Sequence, residues 1–167
     1  MDGYTKRRPG APAGFFGVEA AGLRWLAVPG GVPVAPVRAV DAGSITVGRV
    51  AEARPVAAAA ATFGRQLATT HDAGAAAFGS GPDGWSGDGY IGDAPLTLRP
   101  HDTWGAFYAA ERVLPYARTA ARSGSLSRPG LATIEALAER LDAGEFDDAA
   151  PPARIHGDLW SGNVLFS

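Results

Sequence analysis

The chain has 167 residues, enough for one domain with a sizeable core, and its 46% apolar and 19% charged side chains mark it as globular. With 15 basic against 17 acidic residues and a net charge of −2, it lacks the basic excess that nucleic-acid binding usually requires. The absence of cysteine excludes disulfides and thiolate metal sites, and no apolar run approaches the roughly 20 residues that span a bilayer.

Tyr4, Thr5 and Lys6 read as the tail of a strand, after which proline and glycine turn the chain as far as Gly14. A helix is predicted over residues 15–27, where Phe15, Phe16, Leu23 and Leu26 recur on one stripe. Glu19 falls on that same stripe. A carboxylate so placed calls for a cationic partner, because burying an unpaired charge is strongly unfavourable. Lys6 is the natural candidate, with Arg7 and Arg8 beside it. Residues 32–40 and 44–50 are β-branched runs joined by Asp41-Ala42-Gly43, a hairpin-type turn.

An alanine-rich helix is predicted from Pro55, which suits a first helical turn, to His71, with Gly74 closing it. His71 in that last turn serves the helix dipole or a local hydrogen bond. Residues 79–92 are glycine-dense and contain a formal G-x-G-x-x-G over 79–84. A dinucleotide loop must follow a strand and open a helix. This stretch follows a helix, contains Pro82 and leads into more loop. The next helix is predicted over residues 101–122, with Asp102 or Thr103 as N-cap and an apolar face of Trp104, Phe107, Tyr108 and Leu114. The last spans about residues 129–143, with Leu131, Ile134, Leu137 and Leu141 in period. Asp147 and Asp148 read as solvated loop acids ahead of Pro151-Pro152.

The string His156-Gly157-Asp158-Leu159-Trp160-Ser161-Gly162-Asn163 carries the chemistry. It sets a carboxylate and a carboxamide five residues apart. In phosphotransferase loops such an Asp accepts the proton of the substrate hydroxyl, and such an Asn holds a Mg²⁺. The bare spacing fixes only three positions, and a turn in which Asp158 and Asn163 satisfy local backbone groups would also produce it. The full string is more specific. It resembles the catalytic loop of the fructosamine kinase (ketosamine kinase) family, a branch of the aminoglycoside and choline phosphotransferases, in which Leu-Trp-Ser-Gly between Asp and Asn is a hallmark. The resemblance runs from about Lys6 onwards. It includes a Leu-x-x-x-His feature ending in His71, and the aromatic cluster followed by Glu111-Arg112-Val113-Leu114.

This resemblance implies an α+β, protein-kinase-like two-lobe fold, present in part. Residues 1–50 would form part of the small lobe and end in a hinge, and residues 51–167 part of the helical lobe. ATP and Mg²⁺ are the implied cofactors. Lys6 would bind the phosphates and Glu19 orient it, the backbone around Val47, Arg49 and Val50 would meet adenine, and Asn163 would hold the metal. Asp158 would be the catalytic base, and Trp160 a flat surface on which a sugar stacks. Trp85, Tyr90 and Ile91 would line the substrate cleft or belong to a surface loop. The implied acceptor is a ketosamine, free or protein-bound, whose phosphorylated adduct falls away, a deglycation. Against the family pattern, the loop covering the phosphates and a metal-binding Asp beyond the catalytic loop are missing, which predicts a weak or inactive fragment. Two other readings stay open: a phosphotransferase of the aminoglycoside or sugar type, and a non-catalytic kinase-like module. Neither nucleic acid nor membrane is expected as a partner. The N-terminal residues lack the apolar core of a signal peptide, so a cytoplasmic location is expected.

Overall fold

The computed structural model describes residues 3–167. The chain forms two compact units, one comprising the chain as far as Gly74 with Pro82–Ser86 and Ala153–Ser167, the other Ala75–Gly81 and Gly87–Pro152. Among the described residues no helix is long and apolar enough to cross a membrane.

The first unit holds an antiparallel sheet ordered β1-β3-β2, built from β1 (Gly3–Arg7), β2 (Val37–Val40) and β3 (Ser44–Gly48). The Asp41 turn between β2 and β3 is held by its own carboxylate, which accepts the Gly43 amide at 2.8 Å and the Ser44 hydroxyl at 2.9 Å. These bonds, the backbone one foremost, hold the Asp41 carboxyl below the usual carboxylate range. The predicted strand over 32–40 begins only at Val37, because Pro33 and Pro36 offer no amide to a ladder. Helix α1 (Phe15–Leu26) lays Phe16 and Ala20 on Ile45 and Val47, all four buried, with Phe15 and Leu23 at the rim. Helix α2 (Ala57–Asp72) ends where Gly74 turns left-handed at φ 69° and returns its amide to the His71 carbonyl. Its buried Thr70 accepts the Val32 amide at 3.1 Å, and so ties the approach to β2 onto α2.

The second unit corrects the sequence reading in four places. Part of the glycine-dense stretch is a hairpin, β4 (Gly89–Ile91) paired with β5 (Ala94–Leu96). The helix expected from His101 starts later and changes pitch. It runs as α3 (Trp104–Phe107), a π segment (Tyr108–Val113) and α4 (Leu114–Arg122), with Thr103 capping the start. His101 instead pairs with Phe78 in an isolated bridge. Pro115 accounts for the wide turn: in a regular helix its ring would clash with the Glu111 carbonyl, whereas here the Leu114 amide reaches back to Ala109. Glu111, buried in this segment, meets Nε2 of His101 at 3.1 Å.

The third correction concerns α5 (Arg128–Asp142), capped by Ser127, where Leu137 is exposed and Ala138 takes the buried position. Ala138 and Leu141 pack with Ala109 to form the core of this unit. Gly105 backs directly onto the Leu141 carbonyl, leaving no room for a Cβ. The fourth is Asp147, which is not a solvated acid: its carboxylate accepts the Gly105 amide at 2.7 Å and caps the first turn of α3. Asp148 is exposed, as expected, and accepts the Ala150 amide.

Candidate active site

The chain re-enters the first unit just before the His-Gly-Asp string, and Arg154 fixes that entry. Its amide donates to the His71 carbonyl, its Nε to Gly74 O at 3.1 Å and its Nη1 to Trp25 O at 2.6 Å. The guanidinium also lies 4.4 Å from the centre of the Trp25 ring. One arginine thus joins the ends of α1 and α2 to the start of the loop. At the far end the Phe166 carbonyl accepts the Ala53 amide at 2.6 Å, and the Phe166 ring lies 6.2 Å from that of Phe63. Sequence reasoning missed Arg154, since an arginine two residues ahead of a motif has no spacing or composition to distinguish it.

Between these anchors Gly157 stands at φ 81°, a left-handed conformation that glycine adopts without strain. The turn brings the Asp158 amide to Nδ1 of His156 at 3.2 Å. Ser161–Asn163 form a single 3-10 turn, closed by the Asn163 amide on the Trp160 carbonyl. This curl folds the Asn163 side chain back on Asp158, where Nδ2 donates to the carbonyl at 2.8 Å and to Oδ2 at 3.1 Å. The contact engages the nitrogen of the carboxamide and leaves its oxygen available, together with Oδ1 of Asp158. Such hard oxygen donors suit Mg²⁺, which keeps water and phosphate in the rest of its shell. Among the described residues no three His, Cys, Asp or Glu side chains converge as a metal site. Trp160 is 61% exposed, and a Cβ on Gly162 would stand 2.5 Å from its ring. Glycine at 162 therefore lets the indole lie close over the loop backbone.

In the same unit, Lys6 on β1 meets Glu19 on α1, Nζ to Oε1 at 2.7 Å, with side-chain exposures of 51% and 28%. Of the three basic candidates Lys6 is the one that takes Glu19, while Arg8 lies over the Phe15 ring at 4.7 Å. Val47 is a buried core residue of the central strand, flanked by Tyr4 and Val37, whereas Arg49 and Val50 follow the end of β3. Of the three residues assigned to either a cleft or a loop, Trp85 packs on α1, and Tyr90 and Ile91 lie in β4 with Ile91 exposed.

A small antiparallel sheet braced by a helix, with a Lys–Glu pair joining the two, together with a helical unit and an acid–amide loop, defines a kinase-like α+β fold. The fructosamine kinase profile matches residues 6–167, and the chain belongs to that family. A crystal structure of a candidate fructosamine-3-kinase from Thermobifida fusca YX-ER1 is 44% identical with a TM-score of 0.86, covering 99% of this chain and 56% of that one. A second, from Haemophilus somnus 129PT, is 17% identical with a TM-score of 0.77 over 98% of this chain and 54% of its own, and shows the fold. Among curated proteins, a candidate ketoamine kinase of Synechocystis sp. is 38% identical over 102 residues, 60% of this chain and 32% of the relative. The chloroplastic protein-ribulosamine 3-kinase of Arabidopsis thaliana is 30% identical over 109 residues, 64% of this chain and 31% of the relative. The chain thus spans about half the length of the solved relatives and matches about a third of the curated ones.

Proposed function

We propose that the protein takes part in ATP-dependent phosphorylation of a sugar hydroxyl on a ketosamine, fructosamine or ribulosamine, and so in deglycation in the cytoplasm. The observation that carries the reading is the Asp158–Asn163 contact, formed in a chain that belongs to the fructosamine kinase family and within a string that resembles that family's catalytic loop. The names of the curated relatives support the acceptor class.

In this reading Asp158 orients the attacking hydroxyl and takes its proton, and Asn163 offers its carboxamide oxygen to the metal. Lys6, oriented by Glu19, contacts the phosphates. The strip Val47, Arg49 and Val50 meets adenine, where the small lobe of residues 1–50 hands over to the helical lobe of residues 51–167. Trp160 gives the sugar a flat apolar face. When bound, Mg·ATP supplies the phosphoryl group and neutralises its developing charge; the side chains contribute positioning and electrostatics.

The acceptor class is tested by mass spectrometry of a mixture of fructosyl-lysine, ribulosyl-lysine and an aminoglycoside incubated with Mg·ATP and the protein. Weak phosphorylation, confined to the ketosamines, is expected. Phosphorylation of the aminoglycoside in their place would transfer the protein to the aminoglycoside-type reading.

A further inference from the structure

Helix α1 begins without a capping side chain: Gly14 occupies its N-cap at φ 79°. Gly14 and Gly17 leave bare backbone along one side of the first turn, and the six-membered ring of Trp85 lies against it. A Cβ at Gly14 would stand 3.2 Å from Cη2 of that ring, and one at Gly17 2.9 Å from Cζ3. The short segment Pro82–Ser86 clusters with the α1 unit although the residues on either side of it cluster with the other, so Trp85 is the bulk of a local insertion. The segment is itself turned, with the Trp85 amide on the Pro82 carbonyl at 3.0 Å and Gly84 left-handed at φ 77°.

The location of this seat on the helix gives it a consequence. At about 100° per residue, Glu19 emerges roughly 200° from Gly17, on nearly the opposite side of α1. Phe16 and Ala20 press a third side onto Ile45 and Val47 of the sheet. Those contacts, with Phe15 and Leu23 at the rim, hold α1 from the sheet side alone. The Trp85 ring against two glycines braces the helix from the other side.

We infer that Trp85 is a positioning residue: packed on Gly14 and Gly17, its ring holds α1 in the rotation that keeps the Glu19 carboxylate on Lys6. It thereby sets the affinity for the nucleotide polyphosphate, and this last step rests on the proposed contact of Lys6 with the phosphates. The glycines are then part of the device, since any side chain at 17 would lift the ring off the helix.

The test reads the pair directly. A zero-length carbodiimide joins an amine to a carboxylate only in contact, so the Lys6–Glu19 cross-link, quantified by mass spectrometry of the full chain, reports the 2.7 Å pair. Its yield is expected to fall several-fold in Trp85→Ala and to return in Trp85→Phe. Gly17→Ala is expected to lower it as well, although alanine favours helix more than glycine does, so unravelling of α1 cannot be the cause. Mg·ATP affinity, measured by titration calorimetry, should follow the same order, and Trp85→Ala should add nothing to the loss already caused by Glu19→Gln. Undiminished cross-linking in both Trp85→Ala and Gly17→Ala would overturn the proposal, as would additive losses of affinity in the double variant. A Lys6→Ala protein with unchanged Mg·ATP affinity would instead remove the phosphate role of Lys6, while the cross-link still decides that of Trp85.

Discussion

Asp158 and Asn163 show how a spacing in sequence becomes a geometry: Gly157 reverses the chain, the 3-10 turn curls it, and the amide nitrogen arrives 3.1 Å from the carboxylate. The spacing was legible, because all the parts lie within eight consecutive residues; the contact between the two side chains was not read from it. The Lys6–Glu19 pair was legible too, since a carboxylate on an apolar stripe requires a cation. The pair is exposed enough that its contribution to stability is small, below about 1 kcal/mol. Lys6→Ala is therefore expected to leave the denaturation midpoint almost unchanged while weakening Mg·ATP binding in calorimetry. Arg154 behaves in the opposite way. It makes two charged hydrogen bonds and a stacking contact at a half-buried site, and groups of this kind contribute about 1.5–3 kcal/mol per bond, not additively. Arg154→Ala should lower urea stability by about 2 kcal/mol or more and should loosen the catalytic loop, seen as faster amide exchange over residues 155–165. A stability loss without faster exchange there would show that the residue does not anchor the loop.

At the scale of elements, the helices emerged from the sequence because their apolar period and caps are local signals, and Thr103 and Ser127 cap as their residue types suggest. The β4–β5 hairpin did not, since strands of three residues, one of them containing Pro95, offer too short a pattern to read. The π segment was hidden because it depends on Pro115 meeting a carbonyl four residues back, a steric event rather than a composition. Asp147 was misread because its partner, Gly105, is 42 positions away. Its removal as Asp147→Ala should cost about 1 kcal/mol in thermal or urea unfolding, the usual worth of a helix cap. Gly105→Ala should be worse, at about 1–3 kcal/mol, because the methyl must displace the Leu141 carbonyl. The Asp41 turn gives the pH dependence of the sheet. Its folded carboxyl value lies below the unfolded one, so the turn stabilises the sheet above the unfolded pKa of about 3.9 and loses that contribution as pH falls through the folded value. Asp41→Asn should therefore be less stable than the parent at neutral pH, with the difference shrinking below about pH 4 in paired denaturation curves.

For the whole molecule, the fold class followed from the catalytic-loop string, and the family profile spans almost the entire chain. The contacts that gather distant stretches of the chain were not legible. Contacts place α2 and the loop segment with the sheet, through Thr70 to Val32, Arg154 to Trp25 and Phe166 to Ala53. Each of these joins residues at least 38 positions apart, and no local pattern announces them. One consequence is that Lys6, Glu19, Asp158 and Asn163 all belong to a single compact unit. We propose that phosphoryl transfer takes place on that unit, with Asp158 as its base. The most direct test is the rate of transfer from radiolabelled Mg·ATP to ribulosyl-lysine or fructosyl-lysine, compared between the protein and Asp158→Asn. Transfer reduced by about 10²–10⁴-fold in the variant, the usual worth of a general base, is the predicted result. Equal transfer by the two proteins would contradict it.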